Sequence, residues 1–300
     1  LCIQGNTWKQ WLLIIAFGIV AFLSFRNSQD KTPLLLMLGV CCSKDIKLDR
    51  LLRIDLIGRV ISTGLLIGLP LAGVFNSKIA HNRGIDRQYF GWQAVNGMGF
   101  SFTVIALEWM YLRHRRFRWY DYAGILTLII FVDRTANSRT SEVLMLCMLV
   151  VEAFCTLLER WKSETNLYRL WTFGCSVALV LDLAFFGTAM GLYFFAEPVW
   201  ESLSGNLLLR FRLPGAFFEA HGISLFGSPY NPDIYDYLDI LFGYLTLHLG
   251  VVIAAIVLVL FIIAIIYGYR KKDEKYLILL LFVLLRSTME SEHLNLIYSW

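Results

Sequence analysis

The chain has 300 residues, 57% of them apolar and 17% charged, with a mean hydropathy of +0.60 and a formal net charge of +4. Soluble domains run at about 45–50% apolar and about 25% charged, so no single water-soluble core could hide this excess. A soluble enzyme, a disordered chain and a disulfide-rich secreted domain are excluded, the small net charge argues against nucleic acid, and a polytopic all-α membrane protein remains.

A spanning helix needs about 20 mostly apolar residues. In chain order the candidates are Trp11–Phe25, Pro33–Cys42, Ile54–Phe75, Ala94–Leu112, Tyr120–Val132, Glu142–Leu158, Leu170–Ala196, Leu238–Tyr269 and Tyr276–Leu285. The two short ones, Pro33–Cys42 and Tyr276–Leu285, must borrow flanking residues, tilt or be buried. The expectation is one membrane domain, residues 1–300, with about 9–10 spans; Leu294–Trp300 reads as the start of a further one. The start at Leu1, with no cleavable signal sequence, fits a fragment lacking its true N-terminus. All cysteines but Cys2 lie in or against apolar segments, without CxxC or histidine at ligand spacing, and read as small apolar residues.

Lysine and arginine in the loops set the orientation. With the N-terminus cytoplasmic, sixteen of the 27 basic residues fall inside, among them the clusters Arg113–Arg118 and Arg270–Lys275, and ten fall outside. The outer ten are eight Arg and two Lys; the inner sixteen are nine Arg and seven Lys. Arginine is therefore kept where positive charge is disfavoured. Its planar fork binds phosphate oxygens bidentately and never deprotonates, which points to a phosphate-bearing ligand on the outer face. The plainer reading is anchoring to lipid headgroups or pairing with loop acids.

One outer segment, 197–237, stands apart. It carries four of the six prolines, Pro198, Pro214, Pro229 and Pro232, yet has enough apolar material in Leu207–Leu209, Phe211, Phe217, Phe218 and Ile223–Phe226 to pack. Short helices lying on the outer surface, broken near Pro214 and Gly222, are expected over the active site. The outer loops hold arginines, a few acids and two histidines. Arg210, Arg212, Glu219 and His221 lie in the long loop; Arg286, Glu290, Glu292 and His293 lie near the end; Arg83, Arg87, Arg134 and Arg139 lie in the others. No metal motif and no glycine-rich phosphate loop occurs, so the chemistry expected is acid–base and electrostatic, without cofactor or metal. Within spans lie Arg59, Glu108, Glu152 and Asp182, costly charges that should face the interior, with Arg59 pairing to Asp182 or Glu152. His248, mid-span, reads as hydrogen-bonded to a neighbouring helix.

Four stretches, in order, resemble the Wzy-type polysaccharide repeat-unit polymerases of Gram-positive bacteria, the O-antigen-polymerase-like makers of exopolysaccharide and capsule. Arg87–Asn96 (RQYFGWQAVN) looks like the family's Arg–Gly–aromatic–(His)–Pro–Asn stretch. Asn137–Ser141 (NSRTS) looks like its Ser-Arg-Thr turn opening a helix. Leu203–Asn206 followed by His221–Gly227 looks like its long outer loop. Tyr237-Leu238-Asp239, a long apolar helix and Met289-Glu290 complete the pattern, which covers roughly residues 80–300. Two positions depart: Asn206 stands where the family has Arg after Ser-Gly, with Arg210 or Arg212 able to substitute, and Val95 stands where it has Pro.

The resemblance implies a fold like the GT-C membrane glycosyltransferases and a substrate of oligosaccharide repeats on undecaprenyl pyrophosphate, presented at the outer face of the bacterial plasma membrane. The growing glycan would pass from its lipid carrier onto the next lipid-linked repeat. A general base takes the acceptor hydroxyl's proton, the candidates being His221, Glu219 and Glu290. Arg87, Arg139, Arg210 and Arg212 would hold the pyrophosphate. The bilayer, and the flippase and chain-length regulator of the same pathway, are the further partners expected. An O-antigen-ligase-like transferase shares the donor but uses another acceptor. A flippase, from a different class, needs a polar route through the bilayer, whereas the polar residues here concentrate in the outer loops.

Overall fold

The computed structural model describes residues 7–43, 46–74, 76–82, 85–92, 95–160, 167–203, 206–229 and 238–288. Almost everything described is helix, as the composition leads one to expect. The chain forms two compact units. Among the described residues five helices are long and apolar enough to cross a membrane: Trp8–Ser28, Leu48–Leu71, Arg139–Leu158, Leu167–Phe195 and Val251–Lys271. Thr32–Cys42 is a shorter apolar helix. The nine segments picked out by hydropathy are all helical, but four of them, including those around Val95–Arg113 and Trp119–Thr135, are too short or too polar to meet that measure alone.

The first unit draws on residues 1–45, 172–272 and 283–296. Helices α1 (Trp8–Ser28) and α2 (Thr32–Cys42) form a helical hairpin. Thr7 and Gln10 cap the start of α1 reciprocally, and Gln29 ends it in the left-handed conformation at φ 60°. Asp30 then accepts the Thr32 N–H at 2.8 Å, and Pro33 sits in the first turn of α2 where its missing N–H costs nothing. After α7 (Leu167–Phe195) come α8 (Glu197–Ser202) and α9 (Asn206–His221). The segment 197–237 is thus helical over Glu197–Ser202 and Asn206–His221, but the expected break at Pro214 is absent. Its break at Gly222 is present, with φ 67° and the Gly222 N–H on Phe218 O at 2.7 Å. α9 runs through Pro214 because that stretch is packed. Trp200 Nε1 donates to Arg212 O at 3.2 Å, and a Cβ at Gly215 would stand 2.7 Å from the same indole nitrogen.

The apolar run 238–269 is one continuous span by sequence but not in the fold. A single turn α10 (Leu241–Gly243) passes into a π-helix at Tyr244–Leu249, Gly250 swings out at φ 103°, and α11 (Val251–Lys271) starts afresh. The cause is a close crossing of two backbone stretches. Ser228 N–H donates to His248 O, and the Val251 and Val252 N–H groups at the start of α11 donate to Ser224 O and Leu225 O. A Cβ on Gly227 would lie 2.3 Å from His248 O, and one on Gly250 would lie 2.4 Å from Gly227 N. Only glycine fits at either place.

The second unit draws on residues 46–171, 273–282 and 297–300. It contains α3 (Leu48–Leu71), α4 (Val95–Arg113), α5 (Trp119–Thr135), α6 (Arg139–Arg160) and the first part of α12 (Glu274–Ser287). Between α3 and α4 the chain forms an antiparallel hairpin, β1 (Lys78–Asn82) and β2 (Ile85–Phe90), which hydropathy alone does not reveal. Phe90 anchors it, buried and stacked on Phe131 with centroids 6.3 Å apart, while Gly91 N–H reaches Leu66 O. Small residues let α4 and α6 approach: a Cβ on Gly99 would stand 2.7 Å from Ser138 and Ser141. Met98, Met110, Met145 and Met148 fill the interior.

The intramembrane charges find partners other than those expected. Arg59 bonds Asp55 at 2.8 Å, one turn away on α3, and lies 3.9 Å from Glu108. Glu152 pairs with His114 at 2.8 Å, and Asp182 accepts from Ser287 at 2.8 Å. The i, i+4 spacing of Asp55 and Arg59 was available to a sequence reader as the shorter route.

Candidate functional site

The residues singled out by sequence divide between the units. In the first, α9 carries Arg210, Arg212, Glu219 and His221. Arg210, Pro214, Phe217 and His221 share one face at helical spacing, and Pro214 and Phe217 on it are buried. The eleven-residue separation of Arg210 and His221 places them roughly 16 Å apart along the axis, too far to grip one phosphate together. Arg210 pairs with Asp239 at 3.2 Å, and the Arg212 guanidinium lies 5.6 Å from the Trp200 ring centroid. Glu219 is exposed. Standing two residues from His221 it points to another face of the helix, so the two do not act as a bonded pair.

In the second unit Arg87, on β2, and Arg139, at the start of α6, both bear electrostatically on Glu142, with Asp133 opposing them. Arg139 is exposed and Arg87 half-buried. Ser138 and Ser141 share a 3.0 Å hydrogen bond at this helix start, and both are buried. This cluster combines two arginines, a helix N-terminus and two hydroxyls, a suitable donor set for phosphate oxygens. Glu290 lies outside the described residues, as do Glu292, His293 and Tyr237.

The densest polar arrangement of the first unit was not assembled by sequence. His248 Nδ1 lies 3.0 Å from the Ser228 carbonyl oxygen, and Nε2 lies 3.3 Å from Asp30 Oδ2. Tyr244 donates its hydroxyl to the same carboxylate oxygen, and Ser24 Oγ donates to Leu249 O at 2.6 Å. His248 is hydrogen-bonded, as expected, but to the α1–α2 turn and to the Ser228 carbonyl and not to a neighbouring helix. Burial opposes ionisation of Asp30, but hydrogen bonds from His248, Thr32 and Tyr244 outweigh it and hold the carboxyl well below the usual range. Both ring nitrogens of His248 face oxygen acceptors, so the ring ties three segments together and offers no nitrogen to a substrate. Phe217, wholly buried, stands edge-on to His248 at 6.2 Å and lies tilted against the His221 ring at 4.8 Å. His221 is half-buried at the end of α9, with its Nε2 shielded from solvent.

The π-helix that brings Tyr244 and His248 onto Asp30 is a rare element that tends to mark functional sites. The nearest sequence signals were the Gly227 and Gly250 pair and the acid in Asp30-Lys31-Thr32-Pro33, a helix-start pattern. Among the described residues no group of three or more His, Cys, Asp or Glu could hold a metal ion. Compared with known proteins, the chain matches no family model, no curated protein and no solved structure.

Proposed function

We propose that this chain is a multi-pass membrane glycosyltransferase of the polysaccharide-polymerase type, acting at the outer face of a bacterial plasma membrane on glycans carried by undecaprenyl pyrophosphate. The observation that carries the proposal is the bias of the outer loops, which keep arginine almost to the exclusion of lysine, eight to two. The ordered resemblance of residues 80–300 to the Wzy-type polymerases names the substrate.

The reaction balances without a cofactor. An acceptor sugar hydroxyl attacks the anomeric carbon of the donor glycan, the bond from that carbon to the lipid pyrophosphate oxygen breaks, and the hydroxyl proton passes to the base. His221 is the preferred base and Glu219 and Glu290 are the alternatives. Arg87 and Arg139 neutralise the charge that develops on the leaving pyrophosphate. Arg210, steadied by Asp239, and Arg212, laid over Trp200, bind the phosphates of the second lipid-linked substrate.

The test is product length. Purified protein in proteoliposomes, given a defined lipid-pyrophosphate-linked repeat, should yield a ladder spaced by one repeat. Transfer only to a different acceptor would make it a ligase. Unchanged substrate relocated across the bilayer would make it a flippase, and either outcome rejects the polymerase.

A further inference from the structure

The end of the second unit that carries the α4–α5 turn has a charge surplus that the proposed reaction does not use. Tyr111 near the end of α4 donates to Asp49 at 2.9 Å, and Lys275 reaches the same carboxylate at 2.8 Å. These contacts place the first turn of α3, the end of α4 and the start of α12 together. In the turn itself most charges are matched. Arg113 bonds Asp121 at 3.0 Å, His114 lies between Glu152 and Glu274, and Arg115 bonds Glu274.

Arg115 adopts φ 60°, a conformation that ordinarily favours glycine, and its N–H is accepted by Glu152. That fixed kink sends the chain outward again. Phe117 stays buried against Tyr122, with ring centroids 5.1 Å apart, while Arg116 and Arg118 on either side of it are exposed. The Arg118 backbone N–H donates to Asp121 at 2.8 Å, but neither guanidinium forms an ion pair with a carboxylate among the described residues. The same holds for Lys47 and Arg50 at the start of α3, both exposed. Trp119, next in the chain, is 80% exposed. Arginine and tryptophan stand side by side at the end of the unit where α3, a helix long enough to span, begins, and such a pair is matched to a headgroup layer, the ring to the interface and the fork to phosphate.

We infer that Arg116 and Arg118, with the adjacent exposed Trp119, form a binding site for the phosphate of an anionic glycerophospholipid. The inference rests on the helices crossing a bilayer and not on the glycosyltransferase reading. Ordinary topological bias places cations at this end without requiring a lipid to stay bound. What is added here is a buried phenylalanine between the two arginines and a fixed kink just before them.

The experiment is native mass spectrometry of the full chain titrated with phosphatidylglycerol or with phosphatidylcholine of the same acyl chains. The wild type should retain phosphatidylglycerol in preference. The R116Q/R118Q variant should retain it on the order of 30-fold less well, from roughly a factor of five per charge. An R26Q/R134Q variant, with the same loss of charge at two other exposed positions, should bind as wild type. If any preparation is poorly folded, R116K/R118K, which keeps both charges, should restore retention. Equal loss in the two double variants, no preference for the anionic lipid, or displacement of the lipid by inorganic phosphate at matched concentration would each overturn the inference.

Discussion

Replacing His114 by glutamine removes the cation of the most tightly matched cluster in the second unit. The ring is 9% exposed, with Nδ1 2.8 Å from Glu152 and Nε2 3.7 Å from Glu274. Burial works against the protonated ring, but the two glutamates outweigh it and push its pKa up to about 9, from an ordinary 6.5. A folded-state value above the unfolded one stabilises the protein fully below the unfolded value, and that contribution is lost as pH rises through the folded one. At about 1.4 kcal/mol per pH unit, the interval from 6.5 to about 9 corresponds to about 3 kcal/mol. The assay is thermal unfolding in detergent, followed by circular dichroism from pH 5.5 to 10. Wild type should lose stability between about pH 6.5 and 9, H114Q should be less stable below that window, and the difference between them should vanish above it. A constant difference at every pH would refute the reasoning, because the histidine would then contribute by packing and not by charge.

Gly227→Ala should destabilise the first unit by more than the about 1–3 kcal/mol of a left-handed alanine, since its Cβ would also meet His248 O at 2.3 Å; the unfolding midpoint measures it. Asp30→Asn should cost about 1–3 kcal/mol by disturbing the buried acceptor that Tyr244 and His248 share, and a double-mutant cycle with His248→Gln should recover part of that as coupling. Arg87→Lys and Arg139→Lys keep charge but lose the fork, so transfer should fall while expression holds; normal transfer by both would make these arginines lipid anchors. His221→Gln should abolish the acid limb of the pH–rate profile, and a well-expressed variant with wild-type rate and acid limb would leave Glu219 and Glu290 as the candidate bases.

Helix positions were legible because lipid-facing helices are apolar on nearly every side. Leu12, Leu13, Ile15, Ile19 and Phe22 on α1 are all exposed, and hydropathy detects such a surface without knowing the packing. What was illegible arises where backbone geometry overrides hydropathy. The run 238–269 reads as one helix, yet it is interrupted because Gly227 and Gly250 let two backbones cross, a contact made between positions 23 residues apart. The hairpin 78–90 is short and hydrated in composition, and its anchor, Phe90 on Phe131, is equally non-local. Of the site, the types of residue and the segments holding them were readable; their partners were not. Asp30 and His248 meet across 218 residues, and neither shows by spacing that the other exists.

We propose that glycan is transferred from a lipid pyrophosphate to a sugar hydroxyl. Such transfer is tested most directly by counting leaving groups. With a doubly labelled donor, one label in the glycan and one in the lipid phosphate, purified protein in proteoliposomes should release one lipid pyrophosphate for each repeat added to the growing chain. Release without glycan growth, or donor that crosses the bilayer with both labels still joined, would contradict the account.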